Sequence, residues 1–211
     1  MNALIKRCAC VLLIALGGTA KGADPVDGRH YLALDPPRAT QGGSRIEVIE
    51  FFYYGCPVCY ESQPYITRWL ANAATDVVLR RVPAADESGE SFALTFYALE
   101  AIGELPRLHG PLYENQHFDD RRLNEEGKLL EWLAGNGVDA NHFRKVRNSV
   151  ETRKQVAAAR NLFRTYDVRG VPSFAVDGRY LTSARLAGGV KEMVDVLDYL
   201  VRLRRRERGA K

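Results

Sequence analysis

The sequence predicts an α/β protein in which a strand–helix–strand unit and a later hairpin are separated by a long helical segment. Short runs of β-branched and aromatic residues near positions 50 and 80 predict the first strands. From residue 88 to residue 166 the apolar residues recur with helical spacing, and a hairpin signal and an amphipathic helix follow. The chain of 211 residues is 46% hydrophobic, which is enough for a buried core and excludes a wholly disordered chain.

The strand–helix–strand unit comes first. Residues 45–54 read RIEVIEFFYY after a Gly-Gly-Ser turn, a pattern typical of a buried strand. Pro57 stands where the first position of a helix favours proline, and that helix is predicted to run to about Ala74, with a kink at Pro64. A second strand covers residues 77–82 and a proline ends it. The side chains expected to pack beneath the helix are Tyr60, Ile66, Trp69 and Leu70.

The segment from residue 88 to residue 166 has helical periodicity and no convincing strand. Asn124 is the expected N-cap of one helix, and Asp139 is the expected N-cap of another that carries Phe143, Val146 and Val150. The other apolar positions that define the segment are Phe92, Phe96, Leu99, Leu129, Leu130, Trp132, Leu133, Val156, Ala159, Leu162, Phe163 and Tyr166.

Strands return after this segment. Residues 174–176 and 179–181 flank Asp177-Gly178, a strong short-range signal for a β-hairpin. A clean amphipathic helix follows from Val190 to Val201, with apolar residues at helical spacing. Asp35-Pro-Pro37 and Gln41-Gly-Gly43 are expected to be loop, which leaves an N-terminal arm of about twenty residues ahead of the first strong strand.

The first 22 residues are typical of a cleaved secretory signal peptide. Lys6 and Arg7 precede a short apolar run, and small residues follow it, so cleavage is expected after Ala20 or Gly22. An uncleaved anchor or a buried helix is the alternative, but the apolar run is shorter than the roughly 20 residues of a membrane span. Cleavage removes two of the four cysteines and leaves Cys56 and Cys59 in a compartment where disulfides persist.

The distribution of charge argues against a nucleic-acid partner. Removing residues 1–22 takes away three bases and no acid, which lowers the net charge from +4 to +1. Residues 202–211 carry +5, so residues 23–201 carry −4. We interpret the arginine-rich end, residues 202–208, as the solvated last turn of a helix that continues as a basic tail. Contact with an anionic membrane is the open alternative.

The sequence Cys56-Pro57-Val58-Cys59 lies where the first strand meets the first helix. If Pro57 is the first helical residue, the Cys56 sulfur lies at the helix N-terminus, where free N–H groups and the helix dipole stabilise a thiolate. Cys59 lies one turn further in and is less exposed. The pair is therefore expected to alternate between dithiol and disulfide, with Cys56 meeting partners and Cys59 resolving.

The cysteine pair has two other interpretations. A structural zinc site needs further ligands, and the histidines of the mature chain are scattered without the spacing of a ligand pair. An inert structural disulfide is the second alternative. We predict no metal and no cofactor other than the redox-active disulfide itself.

The segment FFYYGCPVCY, residues 51–60, resembles the active-site segment of DsbA-type periplasmic thiol:disulfide oxidoreductases, and RGVPSFAVDGRY, residues 169–180, resembles their second signature. The resemblance implies a thioredoxin-like α/β fold, a central mixed sheet flanked by helices, with an inserted all-helical domain. The domain boundaries it implies are a signal peptide at 1–22, a first thioredoxin-like part at 23–85, the helical insertion at 86–166, and a second thioredoxin-like part with a basic tail at 167–211.

The resemblance also assigns roles to particular residues. It implies a cis peptide bond before Pro172, with Gly170, Val171 and Pro172 facing Cys56 and binding substrate. A trans proline that begins a strand is the alternative. Glu50 stands where the family keeps a buried acid that takes up or relays the Cys59 proton, the alternative being a solvated carboxylate. Pro64 matches a proline that kinks the corresponding helix.

Val58 departs from the family pattern. Together with Pro57 it lies between the cysteines and tunes their redox properties, and strongly oxidising members usually carry a histidine at that position. Valine cannot supply the positive charge that helps to hold the Cys56 thiolate. We therefore expect a higher Cys56 pKa than in the histidine form and a less oxidising disulfide.

The resemblance implies an enzyme that donates its disulfide to reduced or unfolded exported proteins through a mixed disulfide at Cys56. It implies a periplasmic location, recycling by a membrane protein resembling the quinone-linked DsbB, and a monomer that does not bind nucleic acid. A reductase or isomerase with the same fold is the first alternative. A peptide-binding chaperone with incidental thiols is the second, and a small-molecule enzyme of the glutathione-transferase type is less favoured because no cofactor pocket is evident.

Overall fold

The computed structural model describes residues 23–118 and 122–209, and the predicted signal peptide lies outside these residues. A five-stranded sheet has the order β1-β5-β4-β2-β3. The strands are β1 Leu32–Ala33, β2 Ile46–Phe52, β3 Val77–Pro83, β4 Ser173–Val176 and β5 Tyr180–Ser183. The helices are α1 Pro57–Asn72, α2 Glu90–Ala101, α3 Leu105–Phe118, α4 Glu126–Gly135, α5 Ala140–Arg147, α6 Val150–Thr165, α7 Ala184–Ala187 and α8 Val190–Gly209.

The sheet is mixed, as the resemblance implied. β2 lies between β3, to which it is parallel, and β4, to which it is antiparallel, and all seven of its residues are buried. The predicted hairpin is present between β4 and β5. Its turn residues Asp177 and Gly178 have φ of 52° and 65°, the left-handed pair that a type I′ turn requires.

The two faces of the sheet bury separate clusters of side chains. Ile46 and Val48 pack with α1 and α8 on one face, whereas Ile49 and Phe51 pack with the helices of the inserted segment on the other. This alternation follows from the two-residue period of a strand. It places Glu50 on the α1 side, beneath the helix that carries the cysteines.

The N-terminal arm is more ordered than its sequence indicates. Leu32 and Ala33 form β1 and pair antiparallel with Leu181 and Tyr180 at the edge of the sheet. The Thr182 hydroxyl also donates a 2.8 Å hydrogen bond to a backbone carbonyl of the arm. A strand of two residues is too short to leave an alternating pattern, so the sequence did not predict it.

Helices α2 to α6 occupy the segment predicted to be helical, and Asp139 caps α5 by accepting hydrogen bonds from two backbone N–H groups. Two details of the prediction are wrong. Glu125, not Asn124, is the N-cap of α4. Val150 does not belong to the helix of Phe143, because the Ser149 hydroxyl caps a new helix at that point and leaves Val150 71% exposed.

Two expected surface properties also need correction. Leu70 is 37% exposed rather than packed beneath α1. The arginine-rich end is the last part of a helix, as predicted, because α8 continues to Gly209, but it is not solvated throughout, because Arg204 is only 9% exposed. Arg204 and Arg208 both donate to the buried carboxylate of Asp177, so much of the basic end is neutralised against the hairpin turn. No helix in the described residues is long and apolar enough to cross a membrane.

Candidate active site

Cys56 lies at the start of α1 because Pro57 is the first residue of that helix. Cys56 is the N-cap, in extended conformation, and its Sγ accepts a hydrogen bond from the backbone N–H of Cys59 at 3.4 Å. The pKa of Cys56 falls to about 6 because the Cys59 thiol and the backbone N–H groups of Cys59 and Val58 donate to its sulfur, while partial burial opposes this. Cys56 is therefore a thiolate at neutral pH.

Cys59 has the opposite environment. Both cysteines are present as free thiols, but Cys59 is fully buried and Cys56 is partly exposed. Burial raises the pKa of Cys59, and the hydrogen bond to the Cys56 sulfur and the negative charge of Cys56 raise it further. The two sulfurs thus differ in access and in protonation, and only Cys56 is available to a partner.

Glu50 is completely buried, so the alternative of a solvated strand carboxylate is wrong. Its Oε2 accepts a 2.9 Å hydrogen bond from Arg81, which faces it across the β2–β3 ladder, and its Oε1 accepts a 3.1 Å bond from the Gln63 side chain. Burial raises the pKa of Glu50, although the Arg81 charge and the two hydrogen bonds act against the rise. Gln63 also donates to the Cys59 carbonyl at 3.4 Å.

The loop before β4 brings its residues to the thiol pair. The Val171–Pro172 peptide bond is cis, and the Cys56 sulfur lies 3.7 Å from the Val171 carbonyl oxygen. The Gly170 carbonyl accepts a 2.6 Å hydrogen bond from the Ser173 hydroxyl at the start of β4, which ties the loop to the sheet. A groove of about 440 Å³ is lined by Gly170, Val171 and Pro172.

Helices α1 and α3 each expose an apolar side chain. Val58 follows Pro57 in the first turn of α1 and is 39% exposed. Phe118, at the end of α3, is 75% exposed and meets the ring of Tyr60 edge-on at 5.6 Å. Val58 and Phe118 are therefore exposed apolar side chains that carry no charge.

Helix α3 contributes residues to the site that the sequence did not predict. His109, Tyr113 and His117 are spaced by four residues, so they share one face of the helix. His109 Nδ1 lies 2.7 Å from the hydroxyl of Tyr54, and His117 Nε2 lies 2.8 Å from the carbonyl oxygen of the same tyrosine. The ring of Tyr113 packs 4.7 Å from that of Tyr54. The signal in the sequence is the spacing H-x3-Y-x3-H, whereas the histidines were interpreted as scattered.

Burial makes His109 a neutral residue. Its ring is 8% exposed, its Nε2 has no hydrogen-bond partner within the described residues, and burial lowers its pKa to about 3. Among residues 23–118 and 122–209, no group of three or more histidine, cysteine, aspartate or glutamate side chains is arranged to hold a metal ion. The histidines of α3 instead hold the segment that leads to Cys56.

Comparisons with known proteins agree with this geometry. A family model described as a DSBA-like thioredoxin domain matches residues 47–200. A thiol:disulfide interchange protein DsbA from Azotobacter vinelandii is 35% identical over 193 residues, which cover 90% of each chain. The protein of the same name from Bordetella parapertussis is 36% identical over 194 residues, again 90% of each chain.

Solved structures extend the agreement to the fold. The crystal structure of Pseudomonas aeruginosa DsbA is similar with a TM-score of 0.81 and 32% identity, covering 87% of this chain and 96% of that one. The crystal structure of the oxidoreductase DsbA from Xylella fastidiosa has a TM-score of 0.80 and 28% identity, covering 86% and 98%. The predicted thioredoxin-like fold with inserted helices is confirmed. The chain belongs to the DSBA-like thioredoxin domain family and is a thiol:disulfide oxidoreductase.

Proposed function

We propose that this enzyme works as an oxidase that donates the Cys56–Cys59 disulfide to reduced or unfolded exported proteins. The observation that carries the proposal is the asymmetry of the pair, a partly exposed Cys56 with a pKa of about 6 beside a buried Cys59 with a raised pKa. A stable Cys56 thiolate favours the reduced enzyme over the disulfide, and a dithiol that is stabilised in this way makes its disulfide a stronger oxidant.

The reaction takes place in two exchanges. A substrate thiolate attacks the Cys56 sulfur, the Cys56–Cys59 bond breaks, and Cys59 leaves and takes up a proton. The second substrate thiolate then attacks the substrate sulfur of the mixed disulfide, and Cys56 leaves as a thiolate. The substrate loses two electrons and the enzyme gains them. Cys56 is a good leaving group in the second exchange because its pKa is low.

Glu50 is proposed to exchange the Cys59 proton. A buried carboxyl with a raised pKa holds a proton in a pH range where a solvated one has lost it. Arg81 and Gln63 orient that carboxyl, and Gln63 also contacts the helix turn of Cys59. A carboxyl group in this position provides a proton to a thiolate that forms in a dry environment.

Gly170, Val171 and Pro172 are proposed to bind the substrate chain beside Cys56. Proline has no backbone N–H, and the Val171 carbonyl already faces the sulfur, so an extended peptide can pair with this loop as an added strand. Recognition through backbone groups gives little dependence on substrate sequence. The exposed Val58 fits the apolar segments that unfolded chains present.

We also propose where the enzyme is located and how its domains are organised. Residues 1–22 direct export to the periplasm, residues 23–85 and 167–211 form the thioredoxin-like domain, and residues 86–166 form the helical insertion. The enzyme acts as a monomer without a cofactor beyond its disulfide and does not bind nucleic acid. A membrane protein resembling the quinone-linked DsbB re-oxidises it. The Arg204 and Arg208 pairing with Asp177 supports the exclusion of nucleic acid, because it occupies part of the basic end.

The direction of electron flow is tested by a paired assay on purified mature protein, oxidation of a dithiol peptide and reduction of insulin. Fast oxidation with weak insulin reduction supports the oxidase. The reverse supports a reductase or isomerase, which Val58 favours because it supplies no charge to the thiolate. The C56S variant is the control. If exported substrates still form their disulfides with C56S, only the chaperone alternative is left.

A further inference from the structure

A tight turn delivers Cys56 to the start of α1. The Cys56 N–H donates to the Tyr53 carbonyl at 3.1 Å, so Tyr54 and Gly55 are the two central residues of a β-turn. Gly55 does not have the positive φ that a type II turn needs at this position, so the turn is of the type I class. A glycine here permits both classes, because it adopts positive and negative φ with similar ease.

His117 binds the one peptide group that distinguishes the two turn classes. The peptide between Tyr54 and Gly55 is the central peptide of the turn, and its orientation reverses between types I and II. The His117 Nε2 lies 2.8 Å from its carbonyl oxygen. A carbonyl oxygen only accepts hydrogen bonds, so the Nε2 atom carries the proton and donates it.

The imidazole of His117 is itself held in place. Its ring stacks on Tyr60 at 5.1 Å with an interplanar angle of 16°, and on Tyr113 at 6.3 Å and 20°. His109, two turns earlier in α3, binds the hydroxyl of Tyr54 at 2.7 Å. Helix α3 therefore holds Tyr54 at both its hydroxyl and its carbonyl.

We propose that His117 is a positioning residue for Cys56. Its hydrogen bond keeps the Tyr54–Gly55 peptide in the type I orientation and so holds the Cys56 sulfur over the first turn of α1, 3.4 Å from the Cys59 N–H. The inserted helices thereby control the reactivity of a thiol that belongs to the thioredoxin-like part. This inference rests on the proposed role of Cys56 as the attacked and leaving sulfur.

Three variants test the proposal. H117F keeps an aromatic ring against Tyr60 but has no donor, H117Q restores a donor without a charge, and H142F changes a histidine on the exposed surface of α5. The thiolate fraction of reduced enzyme is followed at 240 nm as a function of pH. We expect the ratio of thiolate to thiol at pH 6 to be about fivefold lower in H117F than in wild type, which corresponds to the free energy of one typical hydrogen bond. We expect H117Q and H142F to match wild type.

Two results overturn the proposal. A thiolate titration of H117F that coincides with wild type removes the role of His117. If the thiolate titration curves of H117Q and H117F coincide and both are shifted from that of wild type, the effect belongs to the histidine charge and not to its hydrogen bond. If H117F does not fold, nitrogen-15 spectra of the wild-type imidazole decide, because a proton on Nδ1 instead of Nε2 excludes the bond. The titration needs no substrate, so it stays interpretable even if the paired oxidation and reduction assay contradicts the oxidase.

Discussion

Replacing Arg81 by methionine leaves the buried carboxyl of Glu50 without its cation. The two side chains meet at 2.9 Å, with Arg81 25% and Glu50 0% exposed. Charges about 4 Å apart attract by about 4 kcal/mol at the effective dielectric of about 20 that suits protein sites. Partial exposure of Arg81 reduces this, so we expect R81M to lower the free energy of unfolding by about 3 kcal/mol at pH 8, the lower end for a broken buried ion pair.

The loss is expected to depend on pH. The folded-state pKa of Glu50 is raised, so between its unfolded and folded values the folded protein retains a proton that the unfolded chain has released. Stability contributed by this group therefore falls as pH rises through that window. R81M raises the folded-state pKa of Glu50 further, so the pH range in which the folded protein retains the extra proton extends upward. The difference in unfolding free energy between wild type and R81M should therefore shrink as the pH is lowered from 8 to 5.

Urea unfolding of reduced wild type and R81M at pH 5 and pH 8 measures both quantities. R68M is the matched control, because Arg68 is exposed on α1 and its loss should change the unfolding free energy by less than about 0.5 kcal/mol. In an E50Q background the R81M effect should lose its pH dependence. Equal losses at pH 5 and pH 8, or a dependence that persists with E50Q, would refute the assignment to this carboxyl.

Three further changes give distinct expectations. V58H should place a positive charge beside Cys56, lower its pKa below about 6 and shift the glutathione equilibrium toward reduced enzyme; identical equilibria in both proteins would contradict this. In C59S the Cys56 thiolate should attack the disulfide of an oxidised peptide and hold one half of it as a stable mixed disulfide, seen by mass spectrometry, because no Cys59 thiol is present to displace it; release of fully reduced peptide would argue against Cys59 as the resolving thiol. D177N should lower the free energy of unfolding in urea by about 3 kcal/mol by removing the charge partner of buried Arg204, with unchanged peptide oxidation; a slower oxidation rate would link the Asp177–Arg204 ion pair to the site.

The sequence located the elements that carry the chemistry because their signals are local. A strand, a proline at the helix start and the cysteine spacing all lie within residues 45–59. The hairpin was equally clear from Asp177-Gly178, where the turn itself demands left-handed backbone conformations. Strand alternation also placed Glu50 on the face away from Ile49, and burial there agrees with it.

The partners of these residues could not be predicted, because they depend on register and docking. Arg81 meets Glu50 only because β2 and β3 align those two positions, and either strand alone gives no such register. His117 lies 63 residues from Tyr54 along the chain, and its contact depends on how α3 packs on the active-site turn. Arg204 looked like part of a solvated helix end because its partner, Asp177, comes from a distant turn.

Cys56 is the accessible thiolate of the pair, and Cys59 is its buried, protonated partner. The rate of alkylation of reduced enzyme by iodoacetamide, measured from pH 4 to pH 10 with the label located by mass spectrometry, tests this directly. The structure predicts modification of Cys56 alone, with a half-maximal rate near pH 6. Comparable labelling of Cys59, or a midpoint near the ordinary thiol value of about 8.5, would contradict it.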